Sequence, residues 1–201
     1  FFKRNVLEHI GGWDEDCLTE DADIGIRLSV EGVKIKVIYD ELHVTQEETP
    51  ISIGGFIRQR TRWNQGFLQI WKKGEWRKLK IMEQIFVLYI LLWPVAQGLV
   101  FLYVPLSLYI SLTQKVPVGL ALFANIPMYL LTIQFAVMCI GMWEFSKKFE
   151  KKFSPFVPII IMGSFFPYQA LLGISAFRAL FRFLFSQSAW EKTKHVNAHR
   201  I

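Results

Sequence analysis

The sequence has little cysteine. Cys17 and Cys139 are the two cysteines among its 201 residues, and they stand far apart. Two distant thiols give neither a disulfide framework nor the paired spacing of a zinc site. This favours a reducing, cytoplasmic surrounding for the first half of the chain. The chain also lacks an initiator methionine and a signal peptide, so we expect it to be the C-terminal fragment of a longer protein.

Charge is absent from three long stretches of the second half. Residues 84–114, 116–143 and 153–177 contain no Asp, Glu, Lys or Arg, and the whole chain is 52% hydrophobic. Each stretch exceeds the roughly 20 residues that a helix needs to cross a hydrocarbon core of about 30 Å. We therefore predict membrane segments there, whereas residues 1–80 have the mixed, charged composition of a soluble domain.

Prolines interrupt two of these stretches. Pro94 and Pro105 predict that the first stretch is an interfacial helix followed by one span. Pro155, Pro158 and Pro167 predict that the third stretch is a re-entrant or interfacial helix pair rather than a simple crossing. We therefore expect the C-terminus to lie on the cytoplasmic side.

Basic residues indicate the orientation of the first two stretches. Lysine and arginine collect on the cytoplasmic side of a bilayer, and only Lys115 lies between these stretches. We expect a multi-pass protein of the cell membrane with a cytoplasmic catalytic face. The basic residues that precede the first stretch and follow the second are Lys72, Lys73, Arg77, Lys78 and Lys80, and Lys147, Lys148, Lys151 and Lys152.

The first half combines helix and strand patterns. A short helix is predicted over residues 5–10, and a second helix begins at Glu20. Apolar residues alternate with lysines over residues 33–39, which predicts a strand. An amphipathic helix follows from Pro50 to about residue 72, of the kind that lies in the plane of a membrane interface.

Several short motifs follow one another along the chain. Thr19-Glu20-Asp21 comes first, then EETP at residues 47–50, then Gln59-Arg-Thr-Arg-Trp63, and finally AWEKTKH at residues 189–195. Alone, T-E-D is a common way to begin a helix. Alone, QRTRW is typical of a solvated helix face or a membrane-surface anchor. Their order and spacing together are far more specific.

This combination resembles the membrane-embedded, processive branch of the family 2 glycosyltransferases, which includes cellulose, chitin, hyaluronan and poly-N-acetylglucosamine synthases. The resemblance implies the C-terminal part of an α/β nucleotide-sugar transferase domain, followed by interfacial helices and an α-helical transmembrane bundle. It divides the chain into the end of the cytoplasmic transferase domain (1–50), an interfacial helix with QRTRW (51–80), transmembrane and interfacial helices (81–188) and a cytoplasmic tail (189–201).

The resemblance implies an inverting glycosyl transfer and assigns residues to it. Asp21 would be the general base that takes the proton of the acceptor hydroxyl. Arg62 would hold the diphosphate of the leaving nucleotide, because a guanidinium binds phosphate oxygens through a bidentate fork. For Arg60, contact with a lipid headgroup is an equally good interpretation. Acceptor or donor binding is implied for Thr19, Glu20, Gln59 and Trp63.

The resemblance also implies partners: a nucleotide-sugar donor, specifically a UDP-sugar, a glycan or glycolipid acceptor, membrane lipids, and no nucleic acid. A divalent metal, Mg²⁺ or Mn²⁺, is expected in the full-length enzyme, with its ligands outside these residues. Asp21-Ala22-Asp23 spells the Asp-x-Asp pattern of such sites, but the family's metal site lies upstream. Asp23 is interpreted instead as a helix-start carboxylate. These residues alone are expected to be inactive.

Two alternatives remain open. A non-processive transferase that adds single sugars to a lipid-linked acceptor would share T-E-D, although the Q-x-x-R-W pattern favours the processive enzyme. The alternative of another class is a non-enzymatic membrane transporter or scaffold. A transporter usually carries ionisable groups inside its spans, and the three charge-free stretches contain none.

Overall fold

The structure is a computed structural model, and it describes residues 3–38, 40, 43, 48–187 and 191. Within these residues the secondary structure is helical, and a 3-10 turn, Glu75–Lys78, follows the third helix. The helices are α1 (Arg4–His9), α2 (Glu20–Val30), α3 (Ile53–Lys73), α4 (Ile81–Leu91), α5 (Trp93–Thr113), α6 (Val118–Ala124), α7 (Ile126–Lys148) and α8 (Val157–Leu184).

The expectation of an α/β fold is wrong for the described part of the chain. Residues 33–38 form no strand, and residue 39 of the predicted strand lies outside the described residues. Ile35 and Val37 leave 57% and 83% of their surface exposed. A strand needs a neighbouring strand to pair with its N–H and C=O groups, and the described residues supply none. Alternation of apolar and charged residues is therefore not enough to make a sheet.

The predicted helices of the first half are confirmed, and glycines mark their ends. Gly11 and Gly12 follow α1 with φ of +81° and +75°, and Gly32 follows α2 with φ of +69°. Residues with a side chain rarely adopt this left-handed conformation, so a glycine there stops a helix.

The amphipathic helix predicted from Pro50 is α3, and both of its ends are capped. The Ser52 hydroxyl accepts a hydrogen bond from the Gly55 N–H at 3.1 Å. Gly74 ends the helix in the left-handed conformation with φ of +79°. Lys72 and Lys73 lie in the last turn, where positive charge is favourable to the helix dipole.

A small hydrophobic core joins α2, α3, the 3-10 turn and α4. Burying side chains of this size contributes roughly 1.5–3 kcal/mol each, so the cluster holds the 3-10 turn and the end of α4 against α3. Its buried members are Cys17, Ile70, Trp76, Leu79 and Leu91.

The chain divides into two compact units. One comprises Phe1–Ala96 with Ser175–Ile201, and the other is Gln97–Ile174. Inside the second unit, Gly173 of α8 lies close to Phe101 of α5. A Cβ added at Gly173 would lie 2.5 Å from the Cβ of Phe101. Small residues at such crossings allow membrane helices to approach closely.

Three helices are long and apolar enough to cross a membrane, namely α5, α7 and α8. At most 17% of the most apolar segment of each is buried, so their side chains suit lipid better than water. The shorter apolar helix α4 precedes α5, and the division falls at Leu92, beside Pro94. The first stretch thus forms a shorter helix and one helix of spanning length, while the interfacial position of the shorter helix stays a prediction.

The third charge-free stretch is one helix, and the predicted helix pair is wrong. α8 continues over 28 residues, which is about 42 Å at roughly 1.5 Å per residue. Pro158 lies in the first turn of α8, where a missing N–H costs no hydrogen bond. Pro167 is inside the helix, and such prolines are tolerated in apolar helices because neighbouring groups satisfy the freed carbonyl.

Candidate active site

One face of α3 contacts the segment that carries T-E-D, residues 17–23, which we call the T-E-D segment. Four α3 residues follow the spacing i, i+3, i+4 and i+7, so they lie on one side of the helix. Cys17 packs in the core with Ile70, and the Leu18 N–H donates to Gln69 Oε1 at 3.0 Å. The four α3 residues are Gly66, Gln69, Ile70 and Lys73.

Thr19 of the T-E-D segment packs closely against Gly66 of α3. A Cβ added at Gly66 would lie 2.3 Å from Thr19 Oγ1. The Thr19 side chain makes no capping hydrogen bond to α2, although its carbonyl accepts from the N–H groups of Ala22 and Asp23 at 3.1 Å. The Thr19 hydroxyl is buried and has no hydrogen-bond partner among the described residues. Packing against α3, rather than helix capping, thus describes this side chain.

The two carboxylates of T-E-D lie towards the surface. Glu20 is half-buried and Asp21 is exposed. Asp21 Oδ1 accepts a hydrogen bond from the Ala22 N–H at 2.9 Å. An incoming hydroxyl can therefore reach the Asp21 carboxylate, as a general base requires.

The QRTRW motif (residues 59–63) lies one to two turns before Gly66 on α3. Gln59, Arg62 and Trp63 are half-buried, and their spacing places them on one side of the helix. Arg62 shares a small cavity with Leu18, the residue before Thr19. No hydrogen bond between described residues joins Gln59 or Trp63 to T-E-D. The structure therefore brings Arg62 to the T-E-D segment, and it shows no such shared cavity or hydrogen bond for Gln59 or Trp63 among the described residues.

Arg60 stacks on aromatic rings of its own helix. Its guanidinium carbon lies 4.3 Å from the ring centroid of Trp63 and 5.3 Å from that of Phe56. Such cation–π contacts contribute about 0.5–1 kcal/mol at exposed sites. This geometry gives Arg60 a local role, since it holds the indole of Trp63 in place.

The end of α8 docks on another side of α3. The Thr61 hydroxyl donates to the carbonyl of Ser175 at 3.3 Å, and Arg182 Nε donates to Gln65 Oε1 at 3.0 Å. Gln65 Nε2 in turn donates to the carbonyl of Gln187. These contacts place the residues after Ser175 against the helix that carries QRTRW.

Glu191 extends this contact into the C-terminal segment. It accepts two hydrogen bonds from Arg178, at 2.9 and 2.6 Å, and one from Arg182 at 3.1 Å. The hydrogen bonds from Arg178 hold the pKa of Glu191 below its ordinary value. Glu191 lines the same small cavity as Arg62. The rest of the AWEKTKH motif lies outside the described residues.

A charge network that the sequence pattern did not reveal links α2 to the end of α3. Asp23 is 3% exposed, and its oxygens accept from Arg27 Nε at 2.8 Å and from Lys73 Nζ at 2.7 Å. Lys73 also contacts Asp14. Asp23 is therefore a buried ion-pair partner and more than a helix-start carboxylate. Its spacing of four to Arg27 was a visible signal, whereas Lys73 stands 50 residues away.

Protonation in this network follows from its contacts. Burial disfavours the charged form of Lys73, but its hydrogen bonds to Asp14 and Asp23 outweigh that effect and raise the pKa of Lys73. The hydrogen bond from Lys73 lowers the pKa of Asp14. Lys73 and Asp14 consequently stay charged around neutral pH.

The described residues do not fit a divalent metal ion. They contain no group of three or more His, Cys, Asp or Glu residues that could bind one. In the Asp21-Ala22-Asp23 pattern, both oxygens of Asp23 already bind cationic side chains. This pattern therefore does not form a metal site here.

Comparisons with known proteins give the family. The model of glycosyl transferase family group 2 matches residues 1–139. The poly-beta-1,6-N-acetyl-D-glucosamine synthase of Staphylococcus aureus is 31% identical over 105 residues, which are 52% of this chain and 24% of that protein. The Staphylococcus epidermidis synthase of the same name is 30% identical over 105 residues, with the same coverage.

The match thus spans about a quarter of the length of these curated relatives. No solved structure matches the chain. The family match covers α1 to α6 and part of α7, including the T-E-D segment and the QRTRW motif. The chain belongs to glycosyl transferase family group 2.

Proposed function

We propose that this chain forms the acceptor-side and membrane part of an inverting glycosyltransferase that extends a polysaccharide or glycolipid from a nucleotide-sugar donor. One observation carries the proposal: the T-E-D segment and the helix with QRTRW pack as one surface, with Thr19 against Gly66. A basic-aromatic membrane anchor has no need of such a contact. Membership of the family supports the same function.

In the proposed reaction, Asp21 removes the proton of an acceptor hydroxyl as its oxygen attacks the anomeric carbon of the donor sugar. The bond from that carbon to the diphosphate breaks, so the configuration inverts and a nucleoside diphosphate leaves. Arg62 balances the charge on the departing diphosphate. Trp63 offers a face of its indole to a sugar ring. The Arg60 guanidinium, 4.3 Å from the centroid of the indole, holds this ring in place.

The names of the curated relatives suggest the donor. They are synthases of poly-beta-1,6-N-acetyl-D-glucosamine, so UDP-N-acetylglucosamine is the donor that we propose to test first. Basic residues flank the outer ends of the first two apolar stretches. We place the catalytic face in the cytoplasm, because such residues collect on the cytoplasmic side of a bilayer. A divalent metal in the full-length enzyme would neutralise diphosphate charge, and its ligands would come from outside the described residues.

An observation in the second unit favours the non-processive alternative. A cavity of about 200 Å³ lies between α5, α7 and α8 and is lined mostly by apolar residues such as Val100, Phe101 and Phe166. The amides of Gln97 and Gln169 also line it. An apolar lining suits the hydrocarbon chain of a lipid-linked acceptor better than a glycan. The size of the product distinguishes the two enzymes: a processive transferase makes a polymer, and a non-processive one adds a single sugar to a lipid.

The first prediction tests the general base. In the full-length protein, Asp21→Asn keeps the side-chain shape but removes the basicity. Sugar transfer should fall by about a hundredfold or more, because general bases contribute roughly 10² to 10⁴, while donor binding should remain. Incorporation of labelled sugar by membranes measures transfer, and displacement of a labelled nucleotide measures binding.

Asp16→Asn is the matched control. Asp16 is also exposed and stands five residues before Asp21, so the substitution removes the same charge from the same region. This variant should keep its activity. Near-normal transfer by Asp21→Asn, or an equal loss in both variants, would reject Asp21 as the base.

A further inference from the structure

Lys73 ends the row of α3 residues that contacts the T-E-D segment. Its ammonium lies 2.7 Å from Asp23 Oδ1 in α2 and also contacts Asp14, in the loop that leads to the T-E-D segment. Asp14 and Asp23 stand on either side of Asp21 in the sequence. One side chain of α3 thus holds the chain both before and after the proposed base.

The position of Asp23 on α2 determines where Asp21 points. Residues two apart on an α-helix differ by about 200° around its axis, since each residue turns the helix by about 100°. Asp23 is 3% exposed and faces Lys73, whereas Asp21 is exposed. Fixing Asp23 against α3 therefore directs Asp21 to the opposite side of α2. Rotation of α2 would separate the buried Asp23 from a cationic partner, which is costly.

Asp23 has two cationic partners, Arg27 and Lys73, and each connects α2 to a different part of the chain. Arg27 pairs with Asp23 and also donates to the carbonyls of Ile10 and Gly12 at 2.7 and 2.8 Å. These bonds tie α2 to the loop after α1. Lys73 ties α2 to α3 instead. If the Lys73 ammonium is removed, Asp23 keeps Arg27 as a partner, so α2 should still fold.

We infer that Lys73 is a positioning residue for the proposed transfer: by holding Asp14 and Asp23 at the end of α3, it fixes the direction of the Asp21 carboxylate relative to Arg62. This inference rests on the proposed function. Small errors in the position of a catalytic group are expensive, since a displacement of about 1 Å can cost on the order of a hundredfold in rate.

The test compares variants of the full-length enzyme. Lys73→Met keeps an unbranched apolar stem but removes the charge. The kcat for transfer from UDP-N-acetylglucosamine should fall by about ten- to a hundredfold, with the donor KM within about twofold of the wild-type value. Lys73→Arg, which keeps a cation there, should recover most of the kcat.

Lys72→Met is the matched control on the neighbouring position. Lys72 is exposed, and its ammonium lies 6.0 Å from the Phe183 ring centroid, away from the acidic pair. The Lys72→Met variant should transfer sugar at the wild-type rate. If Lys73→Met does not accumulate as folded protein, Asp14→Asn removes the negative charge from one of the two ion pairs of Lys73. This variant should lower kcat less, again without a change in KM.

A double variant separates positioning from general stabilisation. If Lys73 acts through Asp21, adding Lys73→Met to Asp21→Asn should lower kcat no further. A full additional loss in the double variant, or a wild-type kcat in Lys73→Met or Asp14→Asn, would overturn the inference. Absence of transfer by the wild-type enzyme would reject the proposed function itself, so the two failures are distinguishable.

Discussion

At the scale of single residues, Gly66 sets how closely the T-E-D segment approaches α3. A glycine inside a helix is less favourable than alanine by roughly 0.5–1 kcal/mol. An added Cβ at Gly66 would meet the Thr19 side chain, 2.3 Å from Oγ1 and 2.6 Å from Cγ2. The absence of a side chain at Gly66 is therefore what lets the proposed site assemble.

We predict that Gly66→Ala destabilises the protein by about 1–3 kcal/mol, the usual cost of forcing extra volume into a packed contact. Gly25→Ala in α2 is the control, because nothing lies within 4 Å of an added Cβ there. That variant should be neutral or more stable by about 0.5–1 kcal/mol. Thermal unfolding in detergent measures both, and equal responses would contradict the close contact with Thr19.

Single residues also show which parts of the candidate site could be predicted from the sequence. Thr19 has the residue type of a helix cap, and only the packing of α3 reveals its contact with Gly66. The pairing of Asp23 with Arg27 follows from local spacing. The pairing with Lys73 does not, because it depends on how α2 and α3 pack. Local patterns thus predict neighbours along a helix and miss contacts between helices.

At the scale of elements, the same distinction explains the confirmed and the wrong predictions. The ends of α2 and α3 depend on a nearby glycine or serine, which the sequence shows directly. A strand depends on a partner elsewhere, so the alternation over residues 33–38 did not suffice. For α8, the sequence shows the prolines but not that the helix continues through Pro167. Such continuation depends on the apolar surroundings of the helix.

The crossing of α5 and α8 in the second unit gives a prediction for the membrane helices. Gly173→Ala would place a Cβ 2.5 Å from that of Phe101, so it should lower stability by about 1–3 kcal/mol. Gly163→Ala changes the same residue type in the same helix, where an added Cβ meets nothing within 4 Å. Gly163→Ala should keep the unfolding temperature in detergent. An equally large loss of stability in Gly163→Ala would mean that α8 responds to alanine at either position. The loss in Gly173→Ala would then not come from the crossing with α5.

At the scale of the whole molecule, the QRTRW motif could serve lipid binding or sugar transfer. The three apolar helices fit a membrane protein, and the family match covers the motif. A lipid anchor needs only cations and aromatic rings near the interface. Recognition of a diphosphate needs a planar fork at one position. The two roles therefore differ in how Arg62 and Arg60 respond to the same conservative change.

The most direct measurement is sugar transfer by membranes that carry full-length Arg62→Lys or Arg60→Lys. Arg62→Lys keeps the charge but loses the bidentate fork, so incorporation from UDP-N-acetylglucosamine should fall by on the order of tenfold or more. Arg60→Lys should change it only mildly, because a cation still lies over the Trp63 indole. Equal responses of the two variants would show that QRTRW acts as a membrane anchor and not as part of a transfer site.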